Sequence, residues 1–129
     1  MQEFKNMKRV ILLLCLILSF INVKSQDIVS VDVNSNGYAK VYDENNRRIS
    51  EGYLGRPGDD ISYSSCIIVA RNQNGHAKVY SKMLRVKTQG YVGNPGDKFR
   101  VSGCRVITKN KNGYKKIYSQ DLRKISEGY

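Results

Sequence analysis

Three sets of side chains recur at one spacing. Tyr38, Lys40 and Tyr42 are followed by His76, Lys78 and Tyr80, and then by Tyr114, Lys116 and Tyr118, each set 38 residues after the last. Alternate residues of a strand share a face, so each set lines about 13 Å of one surface. Tyrosine offers a ring face and a hydroxyl, and lysine a cation. Such a set suits sugars or acidic groups, and three weak sites on one chain gain by acting together. These nine residues are the candidate ligand-binding positions. The competing use is packing, with the lysine stem covering apolar neighbours while its charge stays in water.

Few other residues combine into a chemical site. His76 is the only histidine and stands where the sister sets have tyrosine. It lacks the nucleophile and orienting group a hydrolase or transferase needs, so no catalytic residue is assigned and the chain reads as a non-enzyme. Asp59 and Asp97 belong to Pro-Gly-Asp turns, where aspartate caps the backbone. Asp32-x-Asn34-x-Asn36-Gly37 resembles the opening of a calcium loop, but Asp43 stands where that loop has glutamate and the flanks read as strands. Two cysteines and one histidine do not make a zinc set, so neither a metal nor a cofactor is expected.

The first 25 residues read as a secretory signal. Lys5, Lys8 and Arg9 precede an apolar run from Val10 to Ile21, and Val23 and Ser25 suit a cut before Gln26. The run is too short to cross a bilayer, and no later segment is apolar enough to do so. The remaining chain, 26–129, fits one domain. Export implies the periplasm or the extracellular space. It also removes Cys15 and leaves Cys66 and Cys104, again 38 apart. An oxidising compartment and an even count favour a disulfide. The equivalent first-unit residue, Ile28, instead suggests a buried apolar position, so both readings stay open.

The exported chain carries 18 Lys and Arg against 10 Asp and Glu. The excess is concentrated between Gly75 and Asn112, with 9 basic residues and 1 acidic, whereas Gly37 to Asn74 has 5 of each. A basic middle attracts polyanions such as an anionic glycan or an envelope polysaccharide. Nucleic acid fits the charge and the tyrosines, but export disfavours it.

Positioning these residues falls to a repeat. Gly37–Asn74 and Gly75–Asn112 align without a gap, a third unit runs to Tyr129, and "IVSVDVNSN" before Gly37 matches the last part of a unit. Each unit predicts three strands: "YAKVYD", "RRISEGYL" and "ISYSSCIIVAR", separated by "ENN", "GRPGD" and "NQNG". Val, Ile, Tyr and Thr favour strands, and the Asn-Gly and Pro-Gly pairs favour turns. The expected fold is all-β, with about nine strands closed in threefold pseudo-symmetry, the N-terminal strand completing the last unit. A short open β-stack is the alternative.

The segment "NSNGYAKVYD" is similar to bulb-type mannose-binding lectins, whose threefold β-prism repeats a comparable length. Of their Gln-x-Asp-x-Asn-x-Val-x-Tyr motif, the positions Asn34, Asn36, Tyr38, Lys40 and Tyr42 keep only the tyrosine, and the chain has no tryptophan. The resemblance implies a prism-like architecture and not mannose binding. The functional expectation is an exported binding module for anionic or carbohydrate-bearing envelope components. The alternative is a structural or protein-interaction module, such as an inhibitor or assembly factor.

Overall fold

A computed structural model describes residues 27–129; the signal-like segment lies outside the described residues. Eleven strands form, and no helix, among the described residues. They are β1 (Ser30–Val33), β2 (Tyr38–Tyr42), β3 (Arg48–Tyr53), β4 (Asp60–Tyr63), β5 (Ile68–Arg71), β6 (His76–Tyr80), β7 (Val86–Tyr91), β8 (Lys98–Ser102), β9 (Arg105–Lys109), β10 (Lys115–Tyr118) and β11 (Lys124–Gly128). They make three antiparallel meanders: β1-β2-β3, β4-β5-β6-β7 and β8-β9-β10-β11, here called sheets 1, 2 and 3.

The count of about nine strands is corrected to eleven. The expected third strand, "ISYSSCIIVAR", breaks into β4 and β5 at Ser64. The Ser64 amide donates to the Ile67 carbonyl at 3.0 Å, and its Oγ accepts from the Cys66 and Ile67 amides. That closes a tight turn and reverses the chain. A sheet therefore starts after each Pro-Gly-Asp turn, and the "GRPGD" segment joins one sheet to the next.

Closure is also corrected. β1 pairs with β2, in register from Ser30↔Tyr42 to Val33↔Ala39, and does not join the last unit. β11 pairs with β10 alone. No sheet closes, so the prism-like ring is replaced by an open series of three sheets. The physical reason is local: the Asn-x-Asn-Gly turn holds β1 against the strand that follows it. Asn34 Oδ1 accepts from the Asn36 and Tyr38 amides, and the Gly37 amide donates to the Asn34 carbonyl. Asn72 and Asn110 build the same turn. Only the glycine of each Asn-Gly pair takes positive φ, at 84°, 89° and 86°. Asn34 is thus spent on its turn, which also accounts for the calcium-like spacing.

Two apolar clusters hold the sheets together. The first joins Ala39, Val41 and Leu54 of the sheet 1 side to Ile68, Ala70 and Tyr80 of sheet 2. The second joins Val69, Ala77, Val79 and Val92 to Val106 and Tyr118 of sheet 3. Sheet 2 is covered on both faces, which explains why Ile67 to Arg71 is buried throughout. The link between sheets needs glycine. At Gly55 a Cβ would stand 2.6 Å from Asp59 Oδ2 and 2.9 Å from Ala70 Cβ, and Gly93 is crowded in the same way by Asp97 and Thr108. Cys66 and Cys104 are bonded, with Cα atoms 5.3 Å apart, tying the β4–β5 turn to the β8–β9 turn.

Candidate functional site

The nine repeated residues do not form one surface. The sets lie on β2, on β6 and from just before to the end of β10; those of β6 and β10 are on the face turned toward the preceding sheet, and that of β2 is on the outward face of sheet 1. The third residue of each set is the one drawn into packing. Tyr80 and Tyr118 are buried in the two inter-sheet clusters, and their hydroxyls accept hydrogen bonds from the Gly55 and Gly93 amides, both at 3.0 Å. Their ring faces and hydroxyls are committed to holding one sheet to the link of another. Tyr42, which has no described sheet before it, is half-buried.

The first two residues of each set stay accessible. Tyr38, His76 and Tyr114 are half-buried, Lys78 and Lys116 are half-buried, and Lys40 is exposed. Each first ring meets a second aromatic across the strand pair. Tyr38 meets Tyr53 with centroids 5.3 Å apart, His76 meets Tyr91 at 5.1 Å, and Tyr114 meets Tyr129 at 5.1 Å, all edge to face. Tyr53, Tyr91 and Tyr129 are among the most exposed aromatics, at 70%, 71% and 90%. These partners were not among the sequence candidates. The repeated "GY" at 52–53, 90–91 and 128–129 is the signal that marks them.

Electrostatics separates the middle set from its sisters. Lys40 lies opposite Glu51 and Lys116 opposite Glu127, whereas Lys78 lies opposite Gln89. Each glutamate is held in a small network. Arg48 pairs with Glu51 at 3.3 Å and Lys124 with Glu127 at 3.1 Å. Desolvation, then a hydrogen bond to Glu51, raises the Tyr38 hydroxyl above its usual range; desolvation and Glu127 do the same to Tyr114. The hydrogen bond from Lys124 holds the Glu127 carboxyl below its usual range and Lys124 above its own. In the middle unit all three network positions change together: tyrosine becomes His76, glutamate becomes Gln89, and the basic partner becomes Val86.

Beside these residues a cleft of about 260 Å³ lies between sheet 2 and the link from sheet 1. It is lined by Arg56, Asp59, Ala70, Asn72, His76, Lys78 and Gln89. Asp59 Oδ2 already accepts from the Arg56 amide, and Asn72 Oδ1 from the Asn74 and His76 amides. The charged groups that line the cleft are therefore the Lys78 and Arg56 cations against the single Asp59 carboxylate, with the Gln89 and Asn72 amides and the His76 ring beside them. Such a set can receive an acidic group flanked by hydroxyls, with the exposed Tyr91 ring at the rim. Of the sequence candidates the structure gathers His76 and Lys78 here, and Arg56 and Gln89 join them from outside the repeated triads. Among the described residues no three His, Cys, Asp or Glu side chains come together as a metal set.

No known protein family matches the chain, and no curated protein does. Among solved structures it is similar to Saccharomyces cerevisiae Sqt1, at 15% identity and a TM-score of 0.49, with 75% of this chain and 30% of that chain covered. It is also similar to the C-terminal WD40 domain of Sif2, at 14% identity and a TM-score of 0.43, covering 71% and 31%. The chain thus spans less than a third of the length of either.

Proposed function

We propose that the protein is an exported, non-enzymatic binding module whose cleft at His76 and Lys78 receives the acidic group of a carbohydrate-bearing envelope component. One observation carries this reading: the cleft lysine faces Gln89 where the sister lysines face a glutamate. A carboxylate across the strand pair supplies a negative charge beside the ammonium, whereas an amide supplies none. The two rings at the rim suit the C–H face of a sugar, and amide donors suit its hydroxyls. Export is supported by the basic start, the short apolar run and the joined Cys66 and Cys104. The function therefore sits in one unit and not in three equivalent sites.

The test is to titrate the purified protein with oligogalacturonate and, in parallel, with a neutral oligosaccharide of the same length. Chemical shifts of His76 report the cleft directly. A shift of the His76 signals with the acidic chain alone, abolished in a folded Gln89→Glu variant, is the expected result. An equal His76 response to both sugars, or a His76 response that survives Gln89→Glu, overturns the reading.

A protein-interaction module is the second reading, and the β6–β7 turn and the edge strand β7 favour it. Met83, Val86 and Tyr91 are exposed there, beyond half their surface each. A partner protein using that edge would be lost on Tyr91→Ala and Val86→Glu while Gln89→Glu left it intact.

A further inference from the structure

We infer that the open face of sheet 3 is a docking surface for a linear polyanion, an acidic polysaccharide chain. Sheet 2 shows what this face looks like when a sheet covers it. There Ile67, Val69, Ala77 and Val79 are fully buried against sheet 3. The residues 38 positions later on sheet 3 are Arg105, Ile107, Lys115 and Ile117. Two buried apolar positions have become cations, and β8 places Lys98 and Arg100 where β4 has Asp60 and Ser62. Arg100, Arg105, Lys109 and Lys115 are exposed, and no described sheet lies over them.

The strand register gathers these charges. Lys98 pairs with Lys109, and Lys109 with Lys115, so three lysines stand in one row across β8, β9 and β10. Arg100 and Ile107 then Ile117 form the next row. Directly opposed like charges destabilise a sheet, and these three stand in a row without an intervening acid. Neither described ion pair lies on this face: Arg48–Glu51 belongs to sheet 1 and Lys124–Glu127 to the opposite side of sheet 3. Recesses flank the row. One, of about 240 Å³, is lined by Lys98, Arg100, Ile107, Lys109 and Lys115 among others, and a second, of about 440 Å³, by Gly96, Lys98, Lys109, Asn110 and Lys111.

The occupant follows from the chemistry. Three cations spaced one strand apart span about 10 Å, which one small anion does not cover but repeated charges along a chain do. Ile107 and Ile117 between the cations suit the apolar faces of sugar rings. Nucleic acid is less well matched, because single strands need aromatic platforms, and the one aromatic lining the smaller recess, Phe99, has its ring engaged by the sheet 2 cluster and the Arg71 guanidinium. A second copy is matched poorly too: the outward face of sheet 1 carries Asp32 and Glu51 against Lys40 and Arg48, close to neutral. The proposal rests on the glycan class named above but uses a different surface, so the two are separable.

The experiment measures binding of the purified protein to heparin, long-chain polygalacturonate, neutral dextran, single-stranded DNA and phosphatidylglycerol vesicles over a salt series. The face variant is Lys98→Gln/Lys109→Gln/Lys115→Gln. The control is Arg47→Gln/Arg85→Gln/Arg123→Gln, which removes the same charge elsewhere. The face variant is expected to lose at least tenfold in affinity for both acidic polysaccharides and to flatten the salt dependence, with the control changed less than threefold. Gln89→Glu should leave long-chain binding intact, which separates this face from the cleft. Equal losses in the two triple variants overturn the proposal, since net charge alone would then explain attraction. Selective loss of DNA or vesicle binding, with polysaccharide binding unchanged, overturns it as well. Relief of lysine–lysine repulsion makes the face variant at least as stable as the parent, so a thermal melt guards against misreading.

Discussion

The Tyr80 hydroxyl accepts a hydrogen bond from the Gly55 amide at 3.0 Å, so a side chain of sheet 2 fixes the link that leads out of sheet 1. Tyr118 repeats the contact at Gly93, also at 3.0 Å. Removing either hydroxyl while keeping the ring should cost about 1 kcal/mol, the usual net worth of one such bond. Tyr80→Phe and Tyr118→Phe are each expected to lower the melting temperature by about 4–8 °C, and together to add, because the sites share no partner. Tyr42→Phe is the internal control and should leave it unchanged. A destabilisation by Tyr42→Phe equal to the others would show that the tyrosines act through the chain locally and not through the inter-sheet bond.

Arg71 clamps the second link. Its Nε and Nη2 donate to the Val92 carbonyl, Nη2 also to Asn94 and Nη1 to Asp97, between 2.8 and 3.1 Å, with the guanidinium 5.9 Å from the Phe99 ring centre. The residue is 97% buried with no carboxylate in contact, so the carbonyls and the ring carry its charge. Arg71→Met keeps the volume but strands the Val92 and Asp97 carbonyls, while the Asn94 carbonyl keeps the Asp97 amide, and should cost about 2–4 kcal/mol. Arg71→Lys cannot reproduce the planar fork and should recover less than half of that. Urea denaturation of the three proteins checks both, and an Arg71→Met variant as stable as the parent would remove the clamp from the account.

Much of this architecture is written in the repeat. The strands β2, β6 and β10, the Asn-x-Asn-Gly turns and the Pro-Gly-Asp links all follow from local residue chemistry. The break that separates β4 from β5, and β8 from β9, is harder to read, because "SYSSCII" has no glycine or proline and serine can sit in a strand. The sister segment "VSGCRV" carries the missing cue, since Gly103 takes a φ of +57° at the same turn. Alternation alone does not show the inter-sheet role of Tyr80 and Tyr118, because it does not tell a sheet covered on one side from one covered on both. "CIIVAR" was the warning, an apolar run without alternation. The cleft lay outside the triads because it depends on Gln89 and Arg56, which meet Lys78 only through strand pairing and the inter-sheet link.

The Lys124–Glu127 pair sets a pH dependence. Its hydrogen bond lowers the Glu127 pKa relative to the unfolded chain. A depressed carboxyl stabilises the fold above its unfolded value, and that contribution disappears as the pH falls through the folded value. A carboxyl titration by NMR should therefore place the Glu127 midpoint below the usual glutamate value. Lys124→Ala should move it upward, with Tyr114 still donating to it. Glu127→Gln should flatten the stability curve on the acid side of that window. An unmoved midpoint in Lys124→Ala would assign the depression to Lys116 and Tyr114 instead.

The disulfide makes the last prediction, because it joins sheets that already share a core. Cys66 and Cys104 enclose a 38-residue segment, and closing a loop of that length in the unfolded chain is worth up to about 4 kcal/mol. The contacts around it survive reduction: Ser64 Oγ donates to the Gly103 carbonyl, and the Val101 amide donates to Ser62 Oγ at 2.8 Å. Reduction, or the double variant Cys66→Ser/Cys104→Ser, should therefore lower stability by about 2–4 kcal/mol without dispersing the sheets. The expected signature is a shifted urea midpoint with near-native circular dichroism at zero denaturant. Collapse of the spectrum on reduction alone would mean that the covalent link, and not the Val106 and Tyr118 cluster, holds sheet 3 to sheet 2.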